Sequence, residues 1–244
     1  MVDGAEFPLA GRGALVTGSG RGIGRAIARR LAALGATVLC VSRTQSELDE
    51  TIRLAGPNAH ALAIDISSAG AGQAMVDAAL SRSASLDILV HCAGVIHTGT
   101  AEALDLADFD RLFAINVRSP LALTQAALPQ LKAGRGQILF VNSTIIRAAN
   151  TAGRGLFAAT QGALKAFADS LRDELNPLGV RVMSIMPGTT ATPRQEGLFA
   201  DAGRAYRPEL LLQAEDVAEL ACSALLLPRT AEATDLFIRP MQKF

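Results

Sequence analysis

The chain has 244 residues, of which 50% are hydrophobic and 19% are charged, so it can bury a substantial core. Its 23 basic and 23 acidic residues cancel, and a net charge of zero argues against a role on nucleic acid or on a membrane surface. The three cysteines are widely spaced and odd in number, which is typical of reduced, buried thiols: Cys40, Cys92 and Cys222. Because we find neither a leader pattern nor an apolar run of membrane-spanning length, we expect a soluble cytoplasmic protein.

Short apolar runs alternate with longer segments of helical spacing along the chain. Continuous apolar strands separated by helices are typical of a parallel sheet that is buried on both faces. The predicted strands are 14–17, 37–42, 59–64, 86–91, 137–142, 180–186 and 235–239. The predicted helices are 22–34, 47–54, 70–82, 107–131, 156–175 and 214–227. This alternation predicts an α/β fold, a Rossmann-like doubly wound parallel sheet of about seven strands with helices on both faces.

The stretch 189–213 follows the sixth predicted strand and is the longest segment without a regular pattern. Such segments are often mobile lids in this fold class. No repeat, composition break or low-complexity linker divides the chain. We therefore predict a single domain over residues 1–244, with a substrate lid near 189–213.

A cluster of glycines joins the first predicted strand to the first predicted helix: Thr17-Gly18-Ser19-Gly20-Arg21-Gly22-Ile23-Gly24. In such a turn, Gly18 permits the sharp bend, Gly22 lets backbone N–H groups approach a pyrophosphate, and Gly24 allows the helix to pack closely on the sheet. The helix N-terminus adds positive potential. With strand, glycines and helix in this order, the pattern predicts a dinucleotide site rather than a glycine-rich turn that binds nothing.

The end of the second predicted strand indicates which dinucleotide is bound. An acidic residue there would accept hydrogen bonds from the adenosine ribose. Here the strand ends in Val41-Ser42-Arg43, without a carboxylate. Arg43 can pair bidentately with a 2′-phosphate, and Arg21 can add a second charge from the glycine turn. The two arginines therefore favour NADP over NAD as the cofactor, and the alternative is that both are merely solvated.

These residues resemble the short-chain dehydrogenase/reductase family, over essentially the whole chain. The glycine turn is similar to the family's TGxxxGxG motif, and His91-Cys92-Ala93-Gly94 stands where the family usually has Asn-Asn-Ala-Gly. Asp65 looks like the family's adenine contact, and Pro187-Gly188 with Thr192 resembles the turn that holds the nicotinamide carboxamide. The candidate cofactor-binding residues are Gly18, Ser19, Arg21, Gly22, Ile23, Gly24, Ser42, Arg43, Asp65, Ile66, Cys92, Ala93, Gly94, Pro187, Gly188, Thr190 and Thr192.

The family's active site is a tetrad of Asn, Ser, Tyr and Lys. Asn116 matches the Asn, which holds a water in a proton relay, and Ser143 matches the Ser, which positions the substrate oxygen. The YxxxK motif matches Phe157 to Gln161, so a phenyl replaces the phenol and an amide replaces the ammonium. Shifting the alignment to Lys165 restores no phenol, because Gln161 would then stand at the tyrosine position.

The two substitutions separate binding from chemistry. Phe157 cannot transfer a proton, and general acid–base catalysis of this kind is worth about 10²–10⁴ in rate. Gln161 can still bond ribose hydroxyls, because its amide donates and accepts, but it carries no charge. The resemblance therefore implies that cofactor binding survives while catalysis is impaired.

Other side chains are candidates for the missing chemistry. His97 follows the fourth predicted strand near the ligand-binding edge and could donate a proton, although a lone histidine is more often structural. His91, which ends that strand, is expected to pack near the cofactor. Arg147 and Arg154 could bind an anionic ligand or remain solvated. Tyr206 is the only tyrosine of the chain, and we do not expect it to swing in from the predicted lid.

Three functions remain open from the sequence. The first is an NADP(H)-dependent oxidoreductase for a small carbonyl or alcohol, with a degenerate proton donor. The second is an NADP-binding pseudoenzyme that senses cofactor or ligand, and the third is a non-catalytic subunit beside an active relative. The resemblance implies a homo-oligomer, a tetramer or dimer, through helices within 109–128 and 156–175. No metal site is predicted. A further alternative is that Phe157 is an engineered replacement of the tyrosine, but the second change, at Gln161, argues against it.

Overall fold

The structure is a computed structural model that describes residues 7–242. Its centre is a seven-stranded parallel sheet in the order β3-β2-β1-β4-β5-β6-β7. The strands are β1 Gly13–Thr17, β2 Thr37–Ser42, β3 Ala59–Ala63, β4 Ile88–His91, β5 Gln137–Val141, β6 Arg181–Pro187 and β7 Asp235–Ile238. The chain builds outward from β1 to β3 and then returns to place β4 on the other side of β1. A cleft opens at the carboxyl ends of strands where the order reverses in this way.

Helices cover both faces of the sheet, which confirms the predicted doubly wound α/β fold. The α-helices of the described residues are α1 Gly22–Ala33, α2 Gln45–Ala55, α3 Ala71–Leu80, α4 Leu106–Phe113, α5 Ser119–Ala133, α6 Gly155–Leu175, α7 Pro193–Asp201 and α8 Ala214–Leu225. Two apolar cores result, because successive strand residues point to opposite faces. Val16 packs in the core that includes α1 and α8, whereas Leu15 packs in the core that includes α3, α5 and α6.

The segment predicted as one helix over 107–131 is helical throughout in the structure, but its hydrogen bonding is not α-helical at every residue. A π-helical turn, Ala114–Arg118, joins α4 to α5 and contains Asn116. Pro120 has no N–H to donate to the Asn116 carbonyl, and its ring crowds that carbonyl, so a regular helix cannot continue through this point. The Ser119 hydroxyl donates to the Ala114 carbonyl at 2.7 Å. The prediction of helix over 107–131 is therefore confirmed, with a π-helical turn inside it that the sequence analysis did not predict.

The stretch 189–213, predicted to be irregular, contains α7 and a 3₁₀ turn at Pro208–Leu210. The Thr192 hydroxyl caps α7 by accepting the N–H of Gln195 at 3.2 Å. Pro193 follows at the start of the helix, where its fixed φ suits the first turn. This Thr-Pro pair is a helix-start signal in the sequence, so the prediction of an irregular segment was wrong.

His91 is buried between the sheet and α5, and it does not line the cavity that holds most of the predicted site residues. Its ring stacks on Phe140 with centroids 4.7 Å apart, and its Nε2 lies 2.9 Å from Oγ1 of Thr124. The expectation that His91 packs near the cofactor was therefore wrong. Burial lowers the pKa of His91 from its ordinary value of 6.5 to about 3, so the ring is neutral near pH 7.

We expect acidification to destabilise the protein through His91. In the unfolded chain the ring takes up a proton below pH 6.5, whereas in the folded protein it stays neutral down to about pH 3. The free energy of unfolding should then fall by about 1.4 kcal/mol per pH unit within that window. Urea titrations between about pH 5 and 6.5 should show this slope, and His91→Asn should remove it.

His60→Gln is the matched control for this measurement. Burial also lowers the pKa of His60, but its ring is only half-buried and keeps contact with water, so this substitution should change the slope less. If the free energy of unfolding of His91→Asn keeps the wild-type pH dependence, the slope does not come from His91.

Candidate functional site

Most of the predicted site residues line one cavity of about 700 Å³ at the carboxyl ends of the strands. The predicted residues that line it are Gly18, Arg21, Gly22, Ile23, Gly24, Ser42, Arg43, Asp65, Ile66, Cys92, Ala93, Gly94, Asn116, Ser143, Phe157, Gln161, Pro187, Gly188, Thr190 and Thr192. The exception is Ser19, whose side chain is fully buried and whose hydroxyl donates to the Val41 carbonyl at 3.3 Å. Ser19 therefore fixes the glycine turn and does not face the cavity.

The ends of β1 and β4 are fastened together at the floor of the cavity. Oγ1 of Thr17 donates to the carbonyl of Val90 at 3.3 Å and accepts the N–H groups of Cys92 and Ala93 at 3.1 and 3.2 Å. Gly18 follows with a φ of +69°, and a Cβ there would lie 2.7 Å from the backbone N of Ala93. Any side chain at Gly18 would therefore collide with backbone.

The glycine turn is supported from behind by α1 and α2. The Arg25 guanidinium donates to the carbonyls of Gly20 and Glu47 and to the hydroxyl of Thr51. Thr51 donates in turn to the carbonyl of Ser19 at 2.8 Å. Sequence reasoning missed Arg25 and Thr51, because a contact between two helices has no local signal in the chain. These bonds occupy the carbonyl groups of the turn and fix its shape.

Helix α7 lies against the glycine turn and closes one side of the cavity. A Cβ on Gly22, whose φ is +56°, would lie 3.1 Å from Cγ2 of Thr192. Nη2 of Arg194 donates to the Gly94 carbonyl at 2.6 Å, which ties α7 to the loop after β4. Arg194 also lines the cavity. Sequence reasoning missed this cation because it did not predict α7.

The end of the cavity beside β2, here called the β2 end, holds two arginines and two carboxylates: Arg21, Arg43, Glu47 and Asp65. Arg43 follows Ser42 at the end of β2, lines the cavity and is exposed. Nη1 of Arg21 lies 3.6 Å from Oε1 of Glu47, in the first turn of α2. The strand itself ends without an acid, but the next helix supplies one. Arg21 is therefore an ion-paired side chain, and Glu47 is a residue that sequence reasoning missed.

Asp65 follows β3 and also lines the cavity. Its Oδ1 accepts the backbone N–H of Ser67 at 2.9 Å and the Ser67 hydroxyl at 2.7 Å. These hydrogen bonds lower the pKa of Asp65, and the charge of Arg43 contributes in the same direction. The carboxylate is therefore ionised near neutral pH and shaped by its own turn.

The Asn116 side chain is almost completely buried and makes three hydrogen bonds to protein groups. Its Oδ1 accepts the N–H of Val95 at 2.8 Å, and its Nδ2 donates to the Val95 carbonyl at 2.9 Å and to Oγ1 of Thr160 at 3.1 Å. The amide thus joins the π-helical turn to the loop after β4 and to α6. The side chain of Asn116 contributes to the site by holding three segments in place.

Ser143 lies at the cavity wall directly after β5. Its Oγ accepts the N–H of Ile145 at 3.2 Å, and its own N–H donates to Oδ1 of Asn142 at 2.8 Å. Nδ2 of Asn142 donates to the carbonyl of Gln161 at 3.1 Å, which fastens this loop to α6. Because Oγ acts here as an acceptor, the Ser143 hydroxyl keeps its proton for a ligand.

Phe157 and Gln161 lie one helical turn apart on the face of α6 that lines the cavity. Phe157 is half-buried, and Gln161 is 5% exposed. Their backbone is well fixed, because the carbonyl of Phe157 accepts the Thr160 hydroxyl at 2.8 Å. A phenyl ring and a neutral amide therefore form this part of the cavity wall.

Two further side chains that the sequence analysis considered for the chemistry are engaged outside the cavity. Nδ1 of His97 lies 3.2 Å from Oδ2 of Asp108 in α4, and the ring does not line the cavity. Nζ of Lys165 pairs with Asp169 at 2.5 Å and with Asp235 at 3.2 Å, on another face of α6. Neither His97 nor Lys165 is placed to act on a ligand in the cavity.

The remaining candidates divide between the cavity and its surroundings. The guanidinium of Arg147 lies 3.7 Å from the centre of the Phe237 ring and does not line the cavity, whereas Arg154 does. Tyr206 packs edge-on against Phe199 with centroids 5.8 Å apart, outside the cavity lining, in keeping with the expectation that it stays out of the site. Arg154 is thus the one of these three that is placed to meet a ligand.

All three cysteines are free thiols, but Cys92 is only half-buried, unlike the buried Cys40 and Cys222. The prediction of full burial was therefore wrong for Cys92, which forms part of the cavity wall. Burial raises the pKa of each thiol to about 12, so all three remain protonated near neutral pH.

No helix within residues 7–242 is long and apolar enough to cross a membrane. The same stretch contains no group of three or more His, Cys, Asp or Glu side chains that could hold a metal ion.

Comparison with known proteins identifies the family. The family model described as short chain dehydrogenase matches residues 12–203. The chain therefore belongs to the short-chain dehydrogenase/reductase family of oxidoreductases, as the resemblance implied. A similar protein is the short-chain reductase protein NovJ of Streptomyces niveus, which is 34% identical over 194 residues, covering 78% of this chain and 73% of NovJ.

Solved structures agree with this assignment over nearly the full chain. A short-chain dehydrogenase from Burkholderia cenocepacia, solved in complex with NADP, is 33% identical with a TM-score of 0.82, covering 95% of this chain and 97% of that one. The 3-ketoacyl-(acyl-carrier-protein) reductase from Brucella melitensis, solved with NADH, is 31% identical with a TM-score of 0.84, covering 94% and 97%.

Proposed function

We propose that this chain is an NADP(H)-binding member of the short-chain dehydrogenase/reductase family whose proton-donor site is degenerate. It retains a scaffold for hydride transfer between the cofactor and a small carbonyl or alcohol, with impaired turnover. The observation that carries the proposal is the pair Phe157 and Gln161 in the wall of the cavity, beside a complete glycine turn. Binding and chemistry are therefore separable in this protein.

The cavity fits a dinucleotide. Gly18 and Gly22 both have positive φ, and side chains there would fill the space beside Ala93 and Thr192 that a pyrophosphate approaches. Arg43 at the β2 end supports a 2′-phosphate, and the neighbour solved with NADP supports the same cofactor. The neighbour solved with NADH keeps NAD as the less favoured alternative.

The chain's own groups account for part of a reduction. The glycine turn and Pro187-Gly188 would hold reduced NADP, which would supply a hydride for the carbonyl carbon. The Ser143 hydroxyl can donate to the carbonyl oxygen and hold it in place, because its Oγ proton is uncommitted. The oxygen then needs a proton, which Phe157 cannot provide. The Gln161 amide can bond ribose hydroxyls but offers no positive charge to lower the pKa of a neighbouring acid.

A second candidate function is a non-catalytic subunit in an oligomer, possible for a chain that binds cofactor without turning over. Its support is an exposed face on the helices within 109–128 and 156–175. Phe109 is 44% and Leu121 is 37% exposed, and α6 exposes only small residues along one side, at Ala159, Gly162 and Ala166. Exposed apolar groups beside a small-residue helix face favour close helix packing between copies.

The cofactor preference is testable by calorimetry with NADP⁺ and NAD⁺. We expect tighter binding of NADP⁺, because a charge-assisted bond from Arg43 to the 2′-phosphate contributes about 1.5–3 kcal/mol. Arg43→Ala should remove most of this preference. The control is Arg53→Ala, since Arg53 pairs with Glu50 outside the cavity. Equal wild-type affinities for the two cofactors would refute the preference.

The missing chemistry is testable by restoring it. Phe157→Tyr with Gln161→Lys should raise NADPH-dependent reduction of a panel of aldehydes and ketones by about 100-fold, because the rest of the frame is in place. Each single change should give less, since a phenol without a neighbouring ammonium keeps a pKa of about 10. Fast turnover by the wild type, or no gain in a double variant that still binds NADPH, would count against the proposal.

The association is testable by light scattering at micromolar concentration. We expect a dimer or tetramer, because the exposed face described above would otherwise remain in water. Leu121→Glu should shift the protein towards monomer, and Leu54→Glu, at an exposed leucine of α2, should not. A wild-type protein that is purely monomeric would rule out assembly by contact of this face between identical chains.

A further inference from the structure

Glu47 places a carboxylate over the glycine turn at the β2 end of the cavity. It lies in the first turn of α2, and its side chain is 32% exposed. Its Oε2 is 2.8 Å from the position that a Cβ on Gly20 would occupy. Its Oε1 is 3.6 Å from Nη1 of Arg21. The Glu47 carboxylate therefore lies beside Arg21, one of the two arginines that favour a 2′-phosphate.

The backbone of Glu47 is fixed relative to the glycine turn. Its carbonyl accepts Nη2 of Arg25 at 3.1 Å and lies 3.0 Å from Oγ1 of Thr51. The same Arg25 nitrogen also donates to the carbonyl of Gly20. Because one guanidinium holds both segments, Glu47 keeps its place beside the turn, and only its side chain is free to rotate.

The β2 end is electrically balanced. Four charged side chains line it, and their formal charges sum to zero: Arg21, Arg43, Glu47 and Asp65. Asp65 is bonded by Ser67 and lies in the field of Arg43, whereas Glu47 pairs with Arg21. A 2′-phosphate brings about two further negative charges, so it must compete with these carboxylates for the arginines. A ribose with a free 2′-hydroxyl brings none.

We propose that Glu47 is a specificity-determining residue that limits the preference for NADP(H) over NAD(H). The proposal rests on the dinucleotide function given above. With NAD(H), the carboxylate accepts a hydrogen bond from an adenosine ribose hydroxyl. With NADP(H), it repels the 2′-phosphate and competes with it for Arg21. Arg43 therefore creates a preference for NADP(H), and Glu47 narrows it.

Glu47→Gln tests this, because it removes the charge and keeps the size and hydrogen-bonding capacity of the side chain. Dissociation constants for NADP⁺ and NAD⁺ are measured by calorimetry on the full chain at low ionic strength. We expect the ratio of NADP⁺ to NAD⁺ affinity to rise about tenfold, and the gain to shrink at high salt as the charges are screened. Glu47→Ala should also weaken NAD⁺ binding, because it removes the ribose acceptor.

Glu50→Gln is the matched control. Glu50 is also a glutamate and lies about one turn from Glu47 on α2, but it pairs with Arg53 at 2.7 Å and does not line the cavity. The ratio of NADP⁺ to NAD⁺ affinity of Glu50→Gln should therefore match that of the wild type. An equal rise in both variants would mean a general charge effect and would overturn the proposal. If the wild type binds both cofactors and Glu47→Gln leaves the ratio unchanged, this inference fails and the proposed function stands. If the wild type binds neither cofactor, both fail.

Discussion

The hydroxyl of Thr17 holds together two loops that leave the sheet on either side of the point where the strand order reverses. It joins the end of β1 to the backbone that follows β4, and the glycine turn starts one residue later. The backbone of the glycine turn packs directly against the backbone that follows β4, without room for a side chain between them. A Cβ on Gly18 would strike Ala93, and a Cβ on Gly24 would strike the Gly18 carbonyl. The glycines are thus required by the packing of the turn itself, and the space in front of them is a consequence.

The sequence predicted the parts of this arrangement that local pattern controls. All seven strands were predicted within two residues of their ends, because buried parallel strands are continuous apolar runs bounded by polar turns. The glycine turn and the face of α6 carrying Phe157 were also predicted, since short spacings determine them. Two helix signals were present but missed: Pro120, which interrupts the α-helical hydrogen bonding four residues after Asn116, and the Thr192-Pro193 pair, which starts α7.

The contacts between distant elements could not be predicted from local pattern. Arg25 reaches from α1 to α2, and nothing in the spacing of either helix indicates it. Glu47 is an ordinary first-turn acid on an amphipathic helix, and only the packing of α2 against the turn brings it to Arg21. For His91, the local pattern indicated a site residue, whereas the structure places its ring in the core. Its position at a strand end suggested the ligand edge, but alternation along the strand turned its ring to the buried side.

The bonding of Asn116 means that a residue in the cavity wall also supports the fold. Its amide bonds Val95 and Thr160, so losing it would leave buried polar groups unpaired whether or not a substrate ever binds. Phe157 and Gln161 differ, because the bonds that tie them to Thr160 and Asn142 are made by their backbone carbonyls and survive a change of side chain. The presence of Asn116 is therefore explained by folding alone, and it says nothing by itself about catalysis.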